Sequence, residues 1–230
     1  MKLRLLLAIV CSSMGMACQA APYVAVHAGA SYTDIHSNEM NWGSDDSGAA
    51  IPSDNFGGKS KVVGAGSVAV GYDFADQMPI RVELEYTLRA DAKGNLTTNS
   101  NIIDDDTGKA VGSITNKLKA RAQTALVNVY WDINTGTSFT PFVTGGIGMA
   151  HAKLTSQFKG SDEKRSDSDN NFAWAVGAGA SYKFDKNWSA DLMARYYDAG
   201  EVKAYDQNHE TYAKGEIRGV DMLMGVRYSF

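Results

Sequence analysis

The sequence predicts an all-β chain folded as a closed, eight-stranded antiparallel up-and-down barrel that crosses a membrane. Three observations predict it. Segments of roughly ten residues alternate apolar with polar or small residues, the period of two that belongs to a strand. The connections between segments run long, short, long, short to the end of the chain, the asymmetry of extracellular loops and periplasmic turns. Aromatic residues gather at segment ends, where a membrane–water interface would hold them. Strands in lipid leave no edge unpaired, so the expectation of one spanning strand is an expectation of a closed barrel.

The N-terminus reads as a secretory signal over residues 1–20. Lys2 and Arg4 form a basic start, Leu5 to Val10 an apolar core, and Ala17-Cys18-Gln19-Ala20 the small residues before a cut ahead of Ala21. The apolar run is too short to span a bilayer. A competing reading puts lipid on Cys18, since Gly15-Met16-Ala17-Cys18 weakly resembles a lipoprotein box. Both cysteines, Cys11 and Cys18, lie in this segment, so a chain starting at Ala21 has no disulfide or thiol chemistry. Its formal charge passes from −4 to −6 with the loss of Lys2 and Arg4, a poor balance for nucleic acid.

The barrel domain is expected over 21–230. Its first strand is Tyr23 to Thr33, followed by a Gly-, Ser-, Asn- and Asp-rich loop over 35–60. The second is Val62 to Phe74. The third, Ile80 to Asp91, is the cleanest: Ile80, Val82, Leu84, Tyr86, Leu88 and Ala90 alternate with Arg81, Glu83, Glu85, Thr87, Arg89 and Asp91. A second long loop covers 92–116. The fourth strand, Leu118 to Asp132, turns Ala125, Val127, Val129 and Trp131 outward. Lys119, Arg121 and Gln123 break that apolar phase, which implies either a strand standing above the membrane or a bulge.

The fifth strand is Phe139 to Ala152, with Pro141 near its start. A third long loop spans 153–171. The sixth strand is Phe172 to Phe184, the seventh Trp188 to Tyr197, and a fourth long loop covers 198–213. The last strand runs from Gly219 to Phe230. Val220, Met222, Met224, Val226, Tyr228 and Phe230 share its apolar face, opposite Asp221, Leu223, Gly225, Arg227 and Ser229. A soluble barrel or sandwich would put Arg81, Glu83, Glu85 and Arg89 on its surface instead. Aromatic ends, loop asymmetry and the secretion signal favour lipid.

Four stretches stand out in order along the chain: Tyr23–Tyr32, Leu126–Asp132 with Phe139–Val143, Trp174–Tyr182, and Gly225–Phe230. Together they resemble the opacity-type outer-membrane proteins of Gram-negative bacteria, relatives of the transmembrane domain of outer membrane protein A. The resemblance covers the strands and not the long loops. It implies an eight-stranded barrel in the cell outer membrane, with outer-membrane lipid as its surroundings. It also implies that Tyr228 and Phe230 serve as an assembly signal for the barrel-assembly machinery.

The inward charges form the strongest constellation: Asp73, Arg81, Glu83, Glu85, Arg89, Lys183, Asp191, Arg195, Asp221 and Arg227. They are expected to pair as a polar core, since eight strands enclose a space that side chains fill. An ion path is the alternative, and with it a small low-conductance porin. His27, His36, His151 and His209 show no metal spacing, and no nucleophile–base set can be placed, so neither catalysis, metal nor cofactor is expected. Asp104–Asp106 reads as a solvated acidic loop tip; Asn95-Leu96-Thr97 and Asn187-Trp188-Ser189 match glycosylation sequons by a short pattern. Specificity is expected in the loops, with Trp42, Ile51, Phe56, Ile102, Ile103, Tyr205 and Tyr212 as candidate contacts to host cell-surface, matrix or envelope molecules. A structural envelope role is a third reading.

Overall fold

The computed structural model describes residues 20–41, 59–75, 78–98, 114–158, 164–205 and 212–230. The signal segment, apart from Ala20, lies outside them. So do Trp42, Ile51, Phe56, Ile102, Ile103, Asp104–Asp106 and His209.

The described chain is built of strands: β1 Ala21–Asn41, β2 Lys59–Asp73, β3 Ile80–Arg89, β4 Ala92–Thr98, β5 Ile114–Asp132, β6 Phe139–Phe158, β7 Lys164–Lys183, β8 Trp188–Tyr205 and β9 Tyr212–Ser229. β3 and β4 both pair with β5 and are successive pieces of one stave, interrupted at Ala90 and Asp91. The barrel therefore has eight staves, all antiparallel to their neighbours. The first and last strands close it, from Tyr23↔Ser229 to Asn41↔Tyr212. The amide of Phe230 donates to the carbonyl of Pro22 at 3.0 Å and finishes the seam.

The stagger follows from the register. The path Tyr23, Gly71, Glu83, Asn128, Gly146, Ala175, Tyr197, Gly219 returns to β1 at Thr33, ten residues beyond its start at Tyr23. An eight-stave barrel with this stagger tilts its strands by about 40° and encloses a space that side chains fill.

The two faces of each strand separate as the alternation predicts. Val26, Val68, Leu84, Val127, Ile147, Val176, Leu192 and Met222 are exposed, while the residues between them are buried. Trp188 and Tyr228 stack edge to face at 4.9 Å, and Tyr228 meets Phe230 at 5.1 Å, forming an aromatic cluster at the turn end.

The strands run beyond the segments that the alternation marks. β6 continues to Phe158 and β7 begins at Lys164, inside the stretch expected as the third loop. β8 and β9 likewise take up most of 198–213, so Tyr205 and Tyr212 are strand residues paired with one another. β1 reaches Asn41, and β4 lies within the expected second loop. Outside a hydrocarbon layer nothing selects apolar residues on the outward face, so alternation fades while backbone pairing persists. The early part of β5 has the same explanation. Its register against β6 is unbroken from Asn116↔Phe158 to Asp132↔Phe142, and Arg121 stays exposed in phase with Ala125, so β5 itself has no bulge; the one extra residue at this height is on the facing stave, where Leu88↔Gln123 gives way to Ala92↔Ala120 across Ala90 and Asp91. Further irregularities lie between Ser37 and Glu39 and between Asp198 and Glu201, the latter with Gly200 at φ +75°.

Candidate functional site

The lumen is layered. Nearest the turns, Arg81 on β3 donates from Nε and Nη2 to Asp132 on β5 at 2.7 and 2.8 Å. Its guanidinium also lies 4.4 Å from the Tyr130 ring centroid and 5.1 Å from that of Phe142. Two inward residues of neighbouring strands thus form a bidentate pair, and Asp132 belongs to the network although it stands outside the ten residues expected to compose it.

Glu83 meets hydroxyls and an amide. Tyr130 donates to it at 2.9 Å and Tyr23 at 3.1 Å, with Asn128 at 3.5 Å. Asp191 accepts from Ser181 at 2.5 Å and lies 3.6 Å from Arg227 and 3.9 Å from His27. Arg227 is 4.0 Å from Asp73, which sits nearer solvent at the rim. His27 is buried, with Nδ1 3.1 Å from the Ser67 hydroxyl, as an inward core residue should be.

The central layer is the tightest. Arg195 on β8 donates to Glu85 on β3, to Thr87 at 2.9 Å, and to Asp221 on β9 at 3.1 Å. Arg89 reaches the same Asp221 through two bonds and Thr124 through a third at 3.2 Å, with its guanidinium 3.7 Å from the Tyr197 ring centroid. Asn128 donates to Glu85 at 2.8 Å. The backbone must be bare for these side chains to fit. A Cβ added at Gly177 would stand 2.5 Å from that of Arg195, and one at Gly225 would meet the His27 ring at 2.4 Å.

Above this charge layer the lining turns apolar. Ala122, Leu126, Ala150, Ala152, Ala173, Ala175, Tyr197, Ala199 and Ile217 form one buried cluster. The Tyr197 hydroxyl is held by Thr33 at 2.8 Å and Ser31 at 3.3 Å.

Of the ten expected lumen charges, the structure brings Arg81, Glu83, Glu85, Arg89, Asp191, Arg195, Asp221 and Arg227 inside as buried groups. Asp73 is at the rim. Lys183 is exposed beside the β7–β8 turn and is not part of the buried network; its inward phase falls where the barrel opens to solvent. Asp132 takes the place among the pairs that Lys183 does not. Its inward position beside Tyr130 was legible in the alternation; its pairing with Arg81 depends on the barrel register. Asn187, in that same turn, donates from its amide to the Ser229 carbonyl at 2.7 Å, so this sequon residue ties the turn to the closing strand. Among the described residues no cluster of His, Cys, Asp and Glu could hold a metal ion.

An apolar exterior, a closed seam and a lumen filled by its own side chains define an integral outer-membrane β-barrel protein. The chain belongs to the outer membrane protein beta-barrel domain family, whose model matches residues 3–230. It is 34% identical over 227 residues to outer membrane protein PagN of Salmonella typhimurium, covering 90% of this chain and 89% of that one. An uncharacterised protein of Brucella abortus is 31% identical over 158 residues, 61% of this chain and 54% of the relative. The fold is similar to that of outer membrane protein OprG from Pseudomonas aeruginosa, with TM-score 0.52 and 16% identity, covering 92% of this chain and 97% of that one.

Proposed function

We propose that this protein is a surface interaction protein, in which the barrel is the anchor and the loop end makes contact with host cell-surface, matrix or envelope molecules. The observation that carries this reading is strand length. β1 has 21 residues, and β6 and β7 have 20 each, whereas a tilted strand crosses the hydrocarbon with about 9–11. The surplus lies on the loop side and lifts the connections on the order of 20 Å above the apolar band. A membrane anchor alone has no use for such a shaft. A display scaffold does, because it clears the headgroups and holds loops on rigid backbone.

The lumen supports an anchor more than a channel. Ala150, Ala152, Ala199 and Asp221 have no solvent exposure, and the apolar cluster lies across the path that ions would take. This favours the interaction reading over the small porin. The reading gives the protein no catalytic role, since the buried acids Glu85, Asp191 and Asp221 are each held beside an arginine.

The test is adhesion of cells that display the protein with residues 42–58 or 99–113 replaced by short turns. Heat-modifiable gel migration checks that the barrel is intact. Loss of attachment with a folded barrel is the expected result. Attachment equal to that of the unaltered protein would overturn the reading.

A further inference from the structure

The outward face carries a second feature, just above the apolar band. On β6 the outward residues from Phe139 to Met149 cover about 25 Å along the barrel axis, the height of an outer-membrane apolar band. The next outward residues are His151 and Lys153, both exposed. On the adjoining strand, Arg121 follows Ala125 and Gln123 outward. The register sets Arg121 directly opposite Lys153, and Gln123 opposite His151. These groups stand about 5–10 Å beyond the apolar edge, where lipid headgroups lie.

Like charges facing each other across an antiparallel pair repel. Asp91 answers one of them, accepting from Arg121 Nε at 2.7 Å. No such carboxylate bond is made to Lys153 among the described contacts. Beneath the pair, the polar groups are already matched: Tyr86 donates to Gln123 at 2.8 Å, and His151 Nδ1 lies 2.9 Å from Asn170 Oδ1. Trp174 and Phe172 continue the outward face of β7 below them.

The opposite side of the barrel at this height has the reverse balance. There Asp34, Asp198 and Glu216 surround Arg218, with Arg218 directly across from both Asp34 and Asp198. Among the described outward groups, one side thus has two fixed cations against one carboxylate, and the other has one cation against three.

We propose that the β5–β6 face, through Arg121 and Lys153, binds the phosphates of the phosphorylated glycolipid that forms the outer leaflet of Gram-negative outer membranes. A phosphate between the two cations converts their repulsion into a shared charge-assisted contact. The acyl chains then lie along Ala125, Ile147 and Met149, beside the rings of Phe172 and Trp174. Loop-side placement gives the glycolipid as occupant, because the inner leaflet's phospholipids meet the turn end. The barrel would hold one lipid-selective side, and so a preferred orientation among its membrane neighbours.

Native mass spectrometry of the purified full-length barrel in detergent, titrated with bisphosphorylated lipid A, tests this. R121Q and K153Q are each expected to weaken retention about fivefold, by the strength of one cation near an anionic surface. R218Q, on the acidic side, should leave it unchanged. Lipid A lacking both phosphates and phosphatidylglycerol form the comparison arms; both are expected to bind weakly and without regard to Arg121 or Lys153. Gel migration confirms folding of each variant. Equal retention by unaltered barrel and R121Q/K153Q, an equal loss in R218Q, or a phosphatidylglycerol response matching that of lipid A would each overturn the proposal.

Discussion

Arg89 and Asp221, 132 residues apart in the chain, are joined across the lumen by two hydrogen bonds of 3.1 and 2.6 Å. Arg195 reaches the same carboxylate and also Glu85, so two arginines and two acids form one buried circuit. Ion pairs of this kind do not add stability in proportion to their number, since desolvation offsets much of their attraction. Removing one partner is a different matter, because the other charge stays buried. Asp221→Asn is expected to cost about 3–5 kcal/mol. The folded, heat-modifiable band should convert to the unfolded position at a lower temperature. The double change Asp221→Leu with Arg89→Leu should cost less than the two single changes together, measured by urea unfolding of each variant.

Space in the lumen is as closely set as charge. Gly177→Ala places a methyl 2.5 Å from the Arg195 Cβ and should destabilise the barrel by about 1–3 kcal/mol through overpacking. Gly64→Ala meets nothing within 4 Å and should stay within about 0.5 kcal/mol of the unaltered protein. Equal effects at the two positions in a refolding titration would contradict the lumen packing.

Val143, near the middle of the outward run from Phe139 to Met149, is 51% exposed on the protein, a value that suits lipid and not water. Val143→Arg is therefore expected to cost about 2–4 kcal/mol of folding free energy in bilayers, as a cation near the midplane does. The measurement is reversible unfolding in vesicles. A neutral result would favour a soluble barrel.

The filled lumen predicts no steady large conductance in planar bilayers. Leu126→Ala with Ile217→Ala thins the apolar layer above the arginines, where both side chains are almost wholly buried. Ionic leak should rise in that variant, provided the barrel still migrates as folded. A large steady current through the unaltered protein would refute the plugged lumen.

Phe230 is exposed as a side chain, yet its amide closes the seam with Pro22. Removing it is expected to reduce assembly in cells more than refolding into detergent, because the aromatic end is proposed to be read by the assembly machinery. Equal yields by the two routes, or normal insertion in cells, would remove that role.

Much of this architecture was legible in the residues. Ile80 to Asp91 assigns lipid and lumen by simple alternation, and the structure follows it until the stave breaks at Ala90 and Asp91. The alternation was silent at Lys164 to Asn171 and at Tyr212 to Gly219. There β7 and β9 continue outside the apolar band, joined to their neighbours by ladder pairs such as Lys153↔Ser168 and Ala204↔Ala213. Among the candidate site residues, Lys183 shows the limit. Its parity is inward, but parity carries no information on height, and at the rim it stands in solvent.

The sequence by itself determined which side chains face lipid and which face the lumen. A bilayer demands apolar groups on every second residue, and that demand is written locally. It also determined the barrel's strand number, through the alternation of long and short connections. Only the tertiary structure decided who pairs with whom inside. The β3–β5 register sets Asp132 beside Arg81, and the ten-residue stagger from Tyr23 to Thr33 carries Arg195 to Glu85 and Arg89 to Asp221 across the lumen. Stagger is a property of the closed ring as a whole, so no single strand encodes it, and the pairs that cross the lumen form only when the ring has closed in register.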